Sequence, residues 1–109
     1  MKARISGKQI EIGEALPQMV RARLTTAVEK HFDGGADANV VFSKERFLYR
    51  ADCTVHLDSG VVLKSEGKET DAPRAFDAAL DHLEKQMRRY KRRLKNHHEK
   101  AKARPRALT

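Results

Sequence analysis

Polar and apolar residues alternate from Lys2 to Ser6, with Ala3 and Ile5 on one side, and Gly7 ends the run. A period of two predicts a short strand. Ile10 and Ile12 in the following connection are expected to tuck inward. From Glu14 the period lengthens: Leu16, Met19, Val20, Leu24, Ala27, Val28 and Phe32 recur every three or four residues as one apolar stripe. This predicts a helix of about four to five turns. Pro17 falls at the edge of its first turn, where a missing N–H costs little, and Gly34-Gly35 supply the stop. Asn39–Ser43 is short, β-branched and aromatic, hence a second strand. Beyond it, Phe47, Tyr49, Ala51, Cys53, Val55 and Leu57 fall on one face. Leu48, Arg50, Asp52, Thr54, His56 and Asp58 fall on the other. One face of this third strand is expected to be buried and the other wet. Asp58-Ser59-Gly60 has turn chemistry, and Val61–Gly67 returns as an antiparallel partner.

Asp71 is placed to cap a second helix with Pro73 in its first turn. Its apolar positions, Phe76, Leu80, Leu83, Met87, Tyr90 and Leu94, alternate spacings of four and three, with Ala79 beside them. Run to about Glu99, the helix would be roughly 40 Å long, more than a small sheet can cover, so its last turns should project. The order is β-α-β-β-β-α. One stripe per helix and one apolar sheet face predict an α+β fold, a four-stranded sheet with two helices packed on one face and a parallel β-α-β crossover at the start.

Charge adds a second pattern. Residues 82–109 hold eleven Lys and Arg against Glu84 and Glu99, a balance of +9, whereas the first 81 residues come to −1. On a helical wheel with Leu83 at zero, Met87, Tyr90 and Leu94 lie within about 40°. Lys85, Arg88, Arg89, Lys91, Arg92, Arg93 and Lys95 occupy the remaining arc. A helix face that merely meets solvent would interleave Glu with Lys at four-residue spacing, and here, Glu84 apart, the acids are missing. Like charges at these spacings repel, and a polyanion such as nucleic acid would relieve them. A membrane-surface helix would carry a broad apolar face with Trp or several Phe, which this narrow stripe does not offer. No membrane partner is expected.

Other chemistries fall away. The single cysteine, Cys53, excludes an internal disulfide and faces the expected core, while His56 faces away from it. His97 and His98 are adjacent rather than at the i, i+4 spacing of a helical zinc pair. No nucleophile motif or phosphate loop stands in the 109 residues. The expectation is one domain, no enzyme, no cofactor, no metal and no small-molecule substrate. With no apolar signal segment or membrane span, the location expected is cytoplasmic.

Four segments carry a resemblance: Ile5-Ser6-Gly7-Lys8-Gln9-Ile10-Glu11-Ile12, Glu14-Ala15-Leu16, Ala51-Asp52-Cys53-Thr54-Val55-His56-Leu57, and the helix from His82-Leu83-Glu84-Lys85-Gln86-Met87 through Arg93-Leu94-Lys95. In order and spacing the chain resembles the ribosome hibernation-promoting factor family, of the ribosome-associated inhibitor A type. The resemblance covers residues 2–98 and implies a β-α-β-β-β-α ribosome-binding domain. It further implies binding to small-subunit rRNA in the channel of mRNA and of A- and P-site tRNA, and so inhibition of translation in stress or stationary phase. Positions matching the family's basic residues are Arg23 on the first helix and Lys85, Arg89, Lys91, Arg93 and Lys95 on the second. Arg88 and Arg92 join these RNA-binding candidates from the wheel alone. Residues 99–109 read as a disordered basic tail or linker stub. It looks like the linker that, in long members, leads to a ribosome-dimerising domain, so the chain reads as the N-terminal domain of a long form, monomeric by itself. Two rivals remain. One is a general double-stranded RNA-binding module, although the usual α-β-β-β-α order of such modules lacks the first strand. The other is a protein-interaction domain using the polar sheet face.

Overall fold

The computed structural model describes residues 1–32 and 35–103, with side chains as far as Arg93. The element order is β1 (Lys2–Gly7), α1 (Ala15–His31), β2 (Ala36–Glu45), β3 (Leu48–Leu57), β4 (Val62–Glu69) and α2 (Ala72–Ala103). The sheet runs β1-β2-β3-β4, with β1 parallel to β2 and the other pairs antiparallel. This is the α+β architecture that the hydrophobic pattern predicts. Both helices cover one face. Val20 and Leu24 of α1, Val40 and Phe42 of β2, Cys53 and Val55 of β3, and Phe76, Leu83 and Met87 of α2 are fully buried together. Burying each large side chain contributes about 1.5–3 kcal/mol relative to exposure.

Local chemistry sets the boundaries. Pro17 stands third in α1, among the first-turn residues that lack an intrahelical partner in any case. The Asp71 carboxylate accepts the Arg74 N–H at 2.8 Å, the expected cap of α2. Helix α2 reaches Ala103, past the expected Glu99, because Lys100–Ala103 are good helix formers and no glycine or proline intervenes before Pro105. The tail expected over 99–109 lies, from Arg104 onward, outside the described residues, as does Gly34 of the expected helix stop.

Phe47 departs from the expected alternation. Glu45 pairs with Leu48, so Arg46 and Phe47 form a two-residue turn, and Arg46 takes a φ of 55°. That turn removes Phe47 from the strand and leaves it 88% exposed at the hairpin tip. Neither turn residue is a glycine or asparagine, so the sequence offers no turn signal there.

Gly67 decides how α2 meets the sheet. A Cβ on Gly67 would lie 2.5 Å from the Ala79 nitrogen and closer still to the Ala75 carbonyl oxygen. Only a glycine lets the helix backbone rest directly on β4. Alongside this contact the Ser65 hydroxyl donates to the Ala79 carbonyl at 2.7 Å, His82 Nδ1 donates to the Glu66 carbonyl, and Gln86 Nε2 to that of Lys64. At the far side of the sheet, Arg21 of α1 donates to the Ala3 carbonyl.

Candidate nucleic-acid interface

As far as its side chains are described, the apolar stripe of α2 packs into the fold. Leu83 and Met87 are fully buried. Tyr90 is half-buried, its ring 5.9 Å from that of Phe32 and its hydroxyl 3.5 Å from Ser59 Oγ in the β3–β4 turn. Past this turn the helix has left the sheet behind.

The remaining surface of these turns is cationic. Lys85, Arg88, Arg89, Lys91, Arg92 and Arg93 are all exposed. Lys85 Nζ lies 3.3 Å from Asp81, one turn back. Among the described residues no carboxylate is within ion-pair distance of Arg88, Arg89, Lys91, Arg92 or Arg93. Glu84, the one acid of the stretch, turns the other way: its Oε1 is 3.9 Å from Nε2 of His31 at the end of α1. Among the described residues, five cations within six consecutive positions therefore have no internal counter-charge.

Two candidates stand apart. Arg23 is ion-paired with Asp77 across the helix pair, and its guanidinium lies 5.6 Å from the centre of the Phe76 ring. Asp77 is about 16 Å along the helix from Arg88, so Arg23 is not gathered with the other cations. The side chain of Lys95 lies outside the described residues.

His31 is a feature that sequence reasoning missed. It is buried, Nε2 has no hydrogen-bond partner, and burial holds its pKa below the ordinary value of 6.5, with Glu84 pulling the other way and Lys30, Lys91 and Arg88 adding to the depression. Its place in the α1 periodicity, three residues after Val28, was the available signal. Cys53 is buried as expected, and burial pushes its thiol up to about 12. Among the described residues no cluster of His, Cys, Asp and Glu is placed to hold a metal ion, and no helix is long and apolar enough to cross a membrane.

The open face of the sheet is polar and divided. Arg50 bridges Asp52, Glu45 and Glu66, and Lys68 Nζ is 3.3 Å from Glu45. Asp52 raises the Arg50 guanidinium further above its ordinary value, and Lys68 holds the Glu45 carboxyl below its own. This half neutralises itself. Toward the β3–β4 turn lie Lys2, Arg4 and Lys64, with Asp37 as the nearest acid by register.

A mixed four-stranded sheet backed by two helices, the second carrying unpaired cations past the sheet, defines a small α+β domain built to display one basic helix. Residues 3–95 match the family described as Sigma 54 modulation protein / S30EA ribosomal protein, and the chain belongs to it. The family is one of ribosome factors, not of enzymes. The ribosome hibernation promotion factor of Rhizobium meliloti (strain 1021) is 45% identical over 98 residues, 90% of this chain and 52% of the relative. The ribosome hibernation promoting factor of Escherichia coli (strain K12) is 34% identical over 98 residues, 89% of this chain and 100% of the relative. The chain thus spans about half the length of relatives such as the Rhizobium protein and the whole of the Escherichia coli one. The Thermus thermophilus Protein Y N-terminal domain superposes with a TM-score of 0.75 at 31% identity, covering 83% of this chain and 99% of that one. A ribosomal subunit interface protein from Coxiella burnetii, 19% identical with a TM-score of 0.71 over 84% of this chain and 98% of that one, shares the fold.

Proposed function

We propose that this domain binds the small ribosomal subunit through rRNA, occupies the channel used by mRNA and by A- and P-site tRNA, and so silences cytoplasmic ribosomes in stress or stationary phase. The observation that carries the reading is the run of exposed cations at Arg88, Arg89 and Lys91–Arg93, unpaired among the described residues, on turns of α2 whose Met87 is buried in the core and whose Tyr90 packs against it. Family membership and relatives named as hibernation factors support it. Side chains fixed to a rigid helix suit phosphates of a folded RNA, which position a protein without reading base sequence. Lys85 and Arg23 exchange their internal acids for phosphate on binding, and Lys95, the next cation in the sequence after Arg93, is assigned to the same contact. The ribosome-binding domain is taken as residues 2–98, and α2 carries on as helix beyond that boundary to Ala103.

Neutralising about six to eight phosphates gives a log–log salt slope of roughly −4 to −7. The test is co-sedimentation with vacant small subunits, with and without mRNA and tRNA. Wild-type protein should co-sediment and be displaced by both ligands, and the Arg89→Glu/Arg93→Glu variant should stay in the supernatant with its thermal melt intact. A folded double variant that still co-sediments at physiological salt overturns the helix as the contact. Undiminished binding in the presence of mRNA and tRNA overturns the channel.

A further inference from the structure

We infer that the open sheet face carries a second phosphate-binding surface, a cross-strand row formed by Arg4, Asn39, Thr54 and Lys64, which engages an RNA backbone strand other than the one held by α2. The inference rests on the ribosomal reading above and adds a surface to it. Register places the four residues in line: Arg4 is opposite Asn39, Asn39 opposite Thr54, and Thr54 opposite Lys64. Their neighbours Ala3, Ala38, Cys53, Val55 and Leu63 point into the core, so all four side chains share the solvent face. With strands about 4.8 Å apart, the row spans roughly 14 Å.

Charge pairing separates this row from the rest of the face. Arg50 and Lys68 are held by Glu45, Asp52 and Glu66, whereas no carboxylate among the described residues is within ion-pair distance of Arg4 or Lys64. Asn39 and Thr54, neutral hydrogen-bonding groups, stand between these two cations. Lys2 and Arg21 extend the charge around β1: both line a cleft with Arg4, Asn39 and His56, three cations against the single acid Asp37, which stands opposite Lys2. A protein partner of mixed charge would be as well served by the self-neutralised half. An array of unpaired cations spaced by amide and hydroxyl groups fits a sugar-phosphate strand.

The row also abuts the proposed helix contact. Gln86 donates to the Lys64 carbonyl, and Arg89 lies one helical turn further on. Cationic surface therefore runs from α2 across the sheet to α1, and a domain lodged in a channel would meet RNA on both walls.

The test measures affinity for vacant small subunits as a function of salt. The Arg4→Ala/Lys64→Ala variant is compared with wild type, with Arg89→Glu/Arg93→Glu, and with the control Lys44→Ala/Lys68→Ala, which removes equal charge where Lys44 Nζ lies 5.4 Å from the centre of the Tyr49 ring and Lys68 is paired with Glu45. The row variant should bind more weakly with a log–log slope shallower by about two units, one per lost phosphate contact, while the control keeps the wild-type slope. Thermal melts establish that every variant is folded. An unchanged slope in the row variant, beside lost binding in the helix variant, overturns the second surface and leaves the helix standing. Unchanged binding in both overturns the row and the helix alike as contacts, and a wild-type protein that does not bind small subunits overturns the ribosomal reading itself. Weaker binding with an unaltered slope also overturns the inference, since it marks a contact without phosphates.

Discussion

Replacing Gly67 with alanine tests the seating of α2 on β4. A Cβ there would lie 2.5 Å from the Ala79 nitrogen and closer to the Ala75 carbonyl oxygen, roughly 1 Å short of ordinary contact. Both obstacles are helix backbone, so no side-chain rotation relieves them. The whole first part of α2 must lift, loosening Phe76, Ala79 and Leu83, all fully buried. Overpacking of this kind costs about 1–3 kcal/mol, and the reduced freedom of the unfolded chain returns about 0.4–1 kcal/mol. The net loss of about 1–2 kcal/mol corresponds to a Tm about 5–15 °C lower in a domain of this size. Circular dichroism melts at fixed pH and salt give the answer. The Gly13→Ala variant serves as the comparison, because Gly13 has a φ of 70° with nothing within 4 Å of a Cβ, so only backbone strain is added. A Gly67→Ala protein melting within about 2 °C of wild type would refute the claim that glycine is required by close approach.

Two further outcomes follow from buried titratable groups. Cys53, fully buried with its thiol pushed up to about 12, should resist alkylation in the native protein at pH 8 and react at once in denaturant; rapid labelling of folded protein would contradict its burial. His31 has a folded pKa below its unfolded value of 6.5, so the unfolded chain binds the proton more readily and stability falls as pH drops through 6.5 toward the folded pKa. The stability is fully present above that range. In urea titrations, His31→Leu should flatten the loss between pH 7 and pH 5, and equal slopes in wild type and variant would show that His31 does not govern it.

The element order was legible because both periods are clean: alternation in β3, and fours and threes in α2. What escaped the pattern depends on geometry outside any single element. Phe47 continues the alternation perfectly well, and only the Glu45–Leu48 pairing assigns it to a turn. The cation stripe of α2 could be read because a helix fixes relative directions from spacing alone. That Arg23 is engaged by Asp77, and that Glu84 turns toward His31, required the packing of α1 on α2. The division of the sheet face into a paired and an unpaired half required strand register, since Arg4 and Lys64 are far apart in sequence but stand in one row.

The hydrogen bonds that Arg21, His82 and Gln86 make to strand carbonyls bear on how the molecule behaves away from any partner. β1 and β4 are the two outer strands, whose unpaired backbone groups would otherwise invite a strand from another chain. Helix side chains already occupy carbonyls of Ala3, Glu66 and Lys64. A second copy that paired at these positions would first have to dislodge them, so at those carbonyls the outer strands offer no ready template for another chain.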